Sequence, residues 1–498
     1  MIRSARQEFD QLLDSLHQQV HTGATAFEVE RDLFKQLLAL GRSLLALFFT
    51  LVAQHSSKHA PERADATDRP LPRHSYKRRR YVSFFGEVLI ERPYFWAPGG
   101  PGRLPLDEQL SLPPGVYSDF LREHAELLCA HLAYGQTATV LERLLGFRLS
   151  TRSLSQMVED DAQDAVAFYA QQAASEATAE AAAEAADGEI LVIQADGKGV
   201  PMRPLTREEA TAKQPVRLRR GQSRTKKKEA VVTSLYWLTP RVRSAEEVVA
   251  SFFKQPAARD ESGPADPATD DPDHRPQQKK LWATLEGKDV ALARLAQQVR
   301  GRDGDHLTCP VALADGCPAL QARLREQFPR FELILDFVHV SEYLWKAANA
   351  LFHEADPQRE AWVIARTREL LSGQHAWVVS QLYQVSQRPD DALAKVARYF
   401  EHNAAGMDYR RYLARGWPIA SGVIEGACRH LVKDRCEASG MRWHRAGAEQ
   451  VLALRAIDLN GDWEAYHTYR RAQRHLRLYG CSLEQVETPE EQTLRWAA

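Results

Sequence analysis

Ile190-Leu-Val-Ile-Gln-Ala-Asp-Gly197 is a short apolar run that stops at an acid and a glycine. Such a run reads as a buried strand whose end opens onto solvent. Working outward, Glu229 to Leu238 is a second strand, and Arg241 to Val249 reads as a short third one with a turn. Gln255 to Gln278, rich in Pro, Asp and Ala, reads as a surface insertion. A helix is predicted over Lys279 to Val299. Leu307-Thr-Cys-Pro-Val-Ala-Leu-Ala-Asp315 is another strand, again ending in Asp-Gly, and Pro318 to Gln327 is helical. Phe331 to Asp336 reads as the last strand, followed by a long helical stretch from Val340 to about Leu413 and a final helix from near Ser421. Three strands, helix, strand, helix, strand and a late helix is the order of a ribonuclease-H-like α/β core.

The preceding half is mainly helical. Apolar residues recur at helical spacing at Phe9, Leu12, Leu13 and Leu16, and again at Phe27, Leu33, Leu37 and Leu38. His55 to Arg73 is polar and reads as a linker. Tyr81 to Phe95 reads as a β-hairpin around Gly86-Glu87, and a Pro/Gly-rich segment from Pro98 to Pro105 follows it. From Val116 to about Gln171 the pattern is helical again. The break Gly146-Phe-Arg-Leu-Ser-Thr-Arg152 joins a short helix, Thr137 to Leu145, to one starting near Ser150. This resembles a helix-turn-helix with Arg152, Ser153 and Gln156 on the early turns of the second helix, although short helices joined by Gly turns also arise from plain packing. Ala173 to Ala186 reads as an exposed helix. The expected divisions are 1–55 helical, 56–110 basic linker and hairpin, 111–188 helical and DNA-binding, 189–460 catalytic with a helical insertion at about 340–415, and 461–498 a helical tail.

The chain has 498 residues, 44% apolar and 26% charged, an ordinary globular balance. The longest nearly apolar run, Leu44 to Ala53, falls short of the roughly 20 residues a membrane helix needs. No secretory leader opens the chain. The six cysteines form no C-x-x-C pair, which suits a reducing cytoplasm better than a disulfide scaffold. Membrane, secreted and disordered classes are excluded on this reading.

Net charge is −1, but the charge is clustered. Arg69 to Arg80 holds six basic residues without an acid, including Arg78, Arg79 and Arg80. Lys213 to Lys228 holds eight, including Arg219, Arg220, Lys226 and Lys227. Salt screens charge beyond roughly 8–10 Å, so a neutral protein can present strongly positive surfaces; the alternative is a pair of solvated loops.

Asp196 and Asp315 each follow a buried-type strand and precede Gly, at strand ends where α/β sheets bind ligands. Glu425 lies in Trp417-Pro-Ile-Ala-Ser-Gly-Val-Ile-Glu-Gly426, where Ser421 can cap a helix and place Glu425 on its first turn. Three such carboxylates suit hard divalent cations, and a pair of these activates an attacking oxygen while stabilising the leaving one in phosphodiester chemistry. Taken singly, each reads first as a turn or helix-end residue; the three together, in this element order and with basic runs beside them, read as a site.

Asp196-Gly-Lys-Gly-Val-Pro-Met202, Leu313-Ala-Asp-Gly316, Trp417 to Cys428 and Gly440-Met-Arg-Trp-His444 together resemble bacterial insertion-sequence transposases of the ISKra group, DDE enzymes distantly akin to the mutator-like ones. The resemblance runs from the Tyr81 hairpin to about Leu459. It implies a ribonuclease-H-like catalytic domain with Asp196, Asp315 and Glu425 as the metal-binding triad. Related families carry an Asp (or Cys)-x-x-His signature after the second Asp, and Asp336-Phe-Val-His339 matches it. His339 then either bonds near the cleaved strand or a neighbouring carboxylate, or is structural. Members often carry a cysteine-bearing, zinc-ribbon-like element after the hairpin. Phe95 to Arg103 has no cysteine, which leaves the helical 116–171 region and the basic hairpin as the candidates for end recognition.

Arg429, Lys433 and Arg435 follow Glu425, with Arg442, Trp443 and His444 beyond, and are candidate phosphate contacts; for Arg429 the alternative is an i,i+4 pair with Glu425. Trp345, Trp362 and Trp377 read as core, with base stacking as the alternative. The expectation is a DNA transposase that cleaves and joins strands with two Mg²⁺ ions (Mn²⁺ substituting), as a homodimer or larger assembly on transposon ends and target DNA, in the bacterial cytoplasm. The competing readings are a DNA-binding regulator with an inert core and a structure-specific nuclease without joining activity.

Overall fold

The computed structural model describes residues 2–56, 71–98, 100–178, 189–204, 227–253, 275–302 and 310–483. The chain divides into two compact units, one comprising 1–164 with 463–498 and the other 165–462.

The second unit is α/β. Its five strands are β3 (Ile190–Pro201), β4 (Lys227–Leu238), β5 (Gln277–Thr284), β6 (Val311–Ala314) and β7 (Glu332–Leu335). They lie side by side in the order β5-β4-β3-β6-β7. β3, β4 and β5 pair antiparallel, whereas β6 and β7 run parallel to β3. A parallel return needs a crossover, and helices Lys288–Arg302 and Pro318–Gln327 supply the two.

Both sheet faces are covered, which is why the strands read as continuous apolar runs. Successive side chains alternate between faces. Leu191, Ile193, Ala195, Ala312 and Ala314 pack with Leu292, Leu295, Leu320 and Leu324 of the crossover helices. Ile190, Val192, Leu313 and Ile334 face the other way, onto Phe337, Val340, Leu344, Phe400 and Tyr409. The same alternation puts Asp196, Asp315 and Asp336 on this second face.

The sequence reading needs correction at three places in this unit. Arg241 to Val249 holds no strand: Ser244 caps helix Ala245–Phe252, its hydroxyl accepting from Glu247 N while Glu247 accepts from Ser244 N. The third strand is β5, which takes the end of the expected insertion and the start of the stretch expected as helix Lys279 to Val299; the helix starts only after Gly287, whose φ is 109°. The stretch from Val340 to Leu413 is several helices, Phe337–Leu351, Pro357–Leu371, His375–Val385, Ala392–His402 and Tyr409–Ala414. Asp356-Pro357 and Gly373 (φ 85°) are among the breaks. The basic residues Arg219, Arg220 and Lys226, and most of the Gln255–Gln278 insertion, lie outside the described residues.

The first unit is a helical region with one hairpin. Strands β1 (Arg73–Ser83) and β2 (Gly86–Phe95) pair antiparallel. Val88 and Ile90 of β2 bury Phe49 and Ala53 of the long helix Ala26–Ser56. Among the described residues this helix alone is long and apolar enough to cross a membrane, with mean hydropathy 1.8. The run Leu44 to Ala53 understated it, because the apolar stretch continues N-terminally through isolated Lys35 and Arg42.

Helices Asp119–His131, Tyr134–Leu145 and Thr151–Asp161 follow. Helix Trp463–Tyr479, expected as a separate tail, belongs to this unit. Arg470 donates to Asp161 at 2.7 Å and Arg474 to Asp119 at 2.9 Å, while Arg122 closes on Asp161 at 2.7 Å. Burial raises the Glu126 carboxyl well above its usual range in the same network and lowers His467 to about 3, so the imidazole is neutral at pH 7.

Candidate active site

The parallel register pairs Ala195 with Ala314, so Asp196 and Asp315 are the next residues of two adjacent strands. Asp336 follows β7 directly, and its N–H donates to Ala314 O at 2.9 Å. Three neighbouring strands therefore deliver three carboxylates to one acidic edge, where β6 and β7 end; Asp196 itself lies within β3, which runs on to Pro201 along β4, and not at the strand end that the sequence suggested.

Asp336 is fully buried and is the hub of this edge. Its oxygens accept from Val338 N (3.2 Å), Ser421 N (3.0 Å), Ser421 Oγ (2.7 Å) and His339 Nδ1 (2.6 Å). A buried carboxylate is tolerated where its lone pairs are filled in this way. The same contacts fasten the Trp417–Glu425 segment to the start of helix Phe337–Leu351, where Phe337 N also donates to Ile419 O at 2.8 Å. Ser421 does not cap its helix with its side chain, as the sequence suggested, because its hydroxyl is committed to Asp336.

Glu425 stands on the first turn of helix Gly422–Ala427, with Oε1 3.4 Å from Ser421 Oγ. One turn later the Cys428 thiol donates to Asp196 Oδ2 at 3.5 Å. That bond ties the Glu425 helix to β3. The chain then widens into a π-helical turn, Cys428–Lys433. Such turns leave irregular carbonyls; the buried Arg455 guanidinium donates to those of Leu431 (3.0 Å) and His430.

The electrostatics follow from this crowding. Burial raises the Asp315 carboxyl, the neighbouring Asp196 charge raises it further, and the Cys317 N–H, His339 and Lys288 oppose. Glu425 is raised first by burial and then by Asp336, with Asp196 adding to the effect. His339 is raised to about 9, chiefly by its bond to Asp336, and is an imidazolium at neutral pH. It is thus a fixed hydrogen-bond donor among acids rather than a base.

Among the described residues, no three His, Cys, Asp or Glu side chains stand close enough to ligate one metal ion as they are. The donor set is nevertheless that of a hard cation: Asp196, Asp315 and Glu425 are carboxylates, and two of them resist ionisation partly because of the third. A divalent cation among them would remove that repulsion.

Tyr399 closes the edge. Its ring stacks on Tyr343 with centroids 3.7 Å apart and presses on Gly316, where a Cβ would lie 2.2 Å from Tyr399 Cε2. The Asp-Gly pair at 315–316 is therefore a requirement of close approach, not of backbone angle.

The expected DNA contacts fare unevenly. Arg79 is not available: its guanidinium is turned inward to Pro113 O, Gly115 O and Asp107. Strand alternation puts Arg78 and Arg80 on the opposite, exposed face, where they pair with Glu91 (2.8 Å) and Glu87 (2.7 Å). Arg435 is buried, with its guanidinium 4.8 Å from the Trp443 ring centroid, and serves packing rather than phosphate. Lys227 pairs with Glu437 at 2.6 Å. Arg429, Lys433 and Arg442 are exposed, and no ion pair joins Arg429 to Glu425.

In the helix-turn-helix-like segment, Gly146 ends the first helix at φ 75° and Ser150 caps the second. Arg152 is exposed, whereas Gln156 bonds to Asp160 at 2.8 Å. Trp345 and Trp362 pack on the core of the second unit, while Trp377 is exposed. Sequence reasoning named Asp336 only as part of a signature and missed Cys428. The signal for Asp336 was present, since it closes the third parallel strand as Asp315 closes the second.

No protein-family model and no curated protein sequence matches the chain.

Proposed function

We propose that this chain is a DDE-type DNA transposase of the ISKra kind, with a ribonuclease-H-like core, whose acidic edge cleaves and joins phosphodiester bonds. The observation that carries the reading is the meeting of Asp196 and Asp315 on adjacent parallel strands, with the Glu425 helix tied to Asp196 through Cys428. The strand order β5-β4-β3-β6-β7, three antiparallel and two parallel, supports the core assignment.

Asp196, Asp315 and Glu425 would hold divalent cations, which when bound supply charge neutralisation at the phosphate and a more acidic attacking oxygen. The protein's own part is positional. Asp336 fixes the Glu425 segment through Ser421 and keeps the His339 imidazolium in place, where its charge faces Asp315 and Glu425. The overall chemistry is two in-line displacements at phosphorus. In the first, water attacks and a strand leaves with a 3′-OH; in the second, that hydroxyl attacks a target phosphodiester and a target 3′ oxygen leaves. Exposed Arg429, Lys433 and Arg442 supply phosphate contacts on the same unit.

The test is an assay of cleavage and strand transfer on DNA carrying the ends that flank the gene, with and without Mg²⁺. The wild-type chain is expected to cut and join, and Asp196→Asn to bind the same DNA while losing cleavage. Intact DNA at every Mg²⁺ concentration would favour a regulator. Cleavage without joining of pre-cut ends would favour a nuclease.

A further inference from the structure

Helix Ala26–Ser56 has two of its three sides occupied. One side lies along helix Ile2–Thr22, with hydrogen bonds Gln19–Asp32 (3.3 Å), Gln36–Ser15 (3.1 Å) and Ser43–Glu8 (2.9 Å). A second buries Phe49 and Ala53 against β2. The third side is open except at Gly41. There Phe27, Phe34 and Phe48 recur in multiples of seven, and Leu37, Leu44 and Leu51 recur every seven residues, three positions after Phe34, Gly41 and Phe48, while exposed Glu30 holds that place after Phe27 and leaves the seam apolar from Phe34 onward. Each of the six is between 46% and 71% exposed. Gly41 fills the gap in the first series. The Phe85 ring lies against it, 2.6 Å from where a Cβ would stand, and extends the apolar surface.

Apolar residues at the first and fourth positions of a heptad form the seam by which two helices interlock. We infer that this face is a self-association seam, covered in solution by the same face of a second copy of this chain. A repeat of this kind is self-complementary, as a two-fold interface requires. The six side chains, each about half exposed, with half-buried Leu33, Leu38, Leu40 and Leu47 flanking them, present on the order of 700 Å² of apolar surface, close to the about 800 Å² that each partner gives a standard interface.

The helix passes the length and composition test for crossing a membrane. A lone spanning helix, however, exposes its whole circumference to lipid. This one carries Glu28, Glu30, Arg31, Asp32, Lys35 and Arg42, and its Phe49 and Ala53 are already packed on a sheet. The apolar character is confined to a stripe, which a second protein helix covers and a bilayer does not match. The seam belongs to the N-terminal unit and is independent of the chemistry at Asp196.

The test is the mass of the full chain in solution by light scattering during gel filtration, at micromolar concentration and without detergent. The wild-type chain is expected at twice 56.2 kDa, and Leu37→Glu with Leu44→Glu at 56.2 kDa with an unchanged far-ultraviolet circular dichroism spectrum. If the Glu pair unfolds, Leu37→Gln with Leu44→Gln serves, since Gln keeps helix propensity; it too is expected to halve the mass. A wild-type mass of 56.2 kDa overturns the inference, as does a dimer that survives folded seam variants. So does a monomer that floats with phosphatidylglycerol–phosphatidylcholine vesicles, which would assign the stripe to lipid.

Discussion

Removing the imidazolium by His339→Gln isolates the electrostatic link that holds the acidic edge together. His339 titrates at about 9 in the folded chain, against an ordinary 6.5, mainly because Asp336 accepts from its Nδ1 at 2.6 Å. At about 1.4 kcal/mol per pH unit, that gap is about 3 kcal/mol, and the partial solvent access of the ring trims it to about 2 kcal/mol. Because the folded value is raised, this stability is fully present below 6.5 and is lost as pH rises through 9. Urea unfolding of both proteins at intervals from pH 6 to pH 10 measures it. The wild-type chain should exceed the variant by about 2 kcal/mol at the acid end, with the difference shrinking steadily above pH 6.5. Glu126, whose carboxyl burial raises, titrates equally in both proteins and cancels. A difference that is flat with pH would refute the ion pair, and one that grows with pH would reverse its sign.

Two further outcomes follow from packing. Gly316→Ala drives a methyl into the Tyr399 ring and should cost about 1–3 kcal/mol, read as a lower Tm; an unchanged Tm would show that Tyr399 yields freely. Arg79→Ala, which strips the inward guanidinium from Asp107 and two carbonyls, should destabilise the chain by about 2–4 kcal/mol, while Arg78→Ala and Arg80→Ala should each cost under about 1 kcal/mol. Equal losses from all three would contradict the inward placement of Arg79.

Much of the second unit was readable because strands buried on both faces announce themselves. Ile190 to Asp196 and Val311 to Asp315 are apolar, short and punctuated by Gly, so both strands were found and Asp315 was rightly placed at a strand end; Asp196 was not, because β3 continues through Gly197 and Gly199 to Pro201 along β4. β5 was not readable in the same way. Its first half, Gln277-Gln-Lys-Lys280, is polar because it is an outer strand with one open edge, and only Leu281 to Thr284 are buried. The helix at Ala245–Phe252 was obscured by Val248 and Val249, β-branched residues that serve here as its buried face, although Ser244-x-x-Glu247 signalled its start. At the site, spacing pointed to Glu425 but could not reveal Asp336 as the hub. Its partners Ser421 and His339 come from two segments that only folding brings together. Charge runs were the weakest guide, since three consecutive arginines on β1 must alternate in direction, and Arg79 is therefore inside when Arg78 and Arg80 are outside.

On the proposed function, Asp196, Asp315 and Glu425 act together as one cation site. Mn²⁺ binding followed by electron paramagnetic resonance tests it most directly, on the wild-type chain and on Asp196→Asn, Asp315→Asn and Glu425→Gln. The expected result is tight binding by the wild-type chain and at least about tenfold weaker binding by each variant, all three remaining folded. Wild-type affinity retained by any one of the three would remove that residue from the site and contradict a shared three-carboxylate centre.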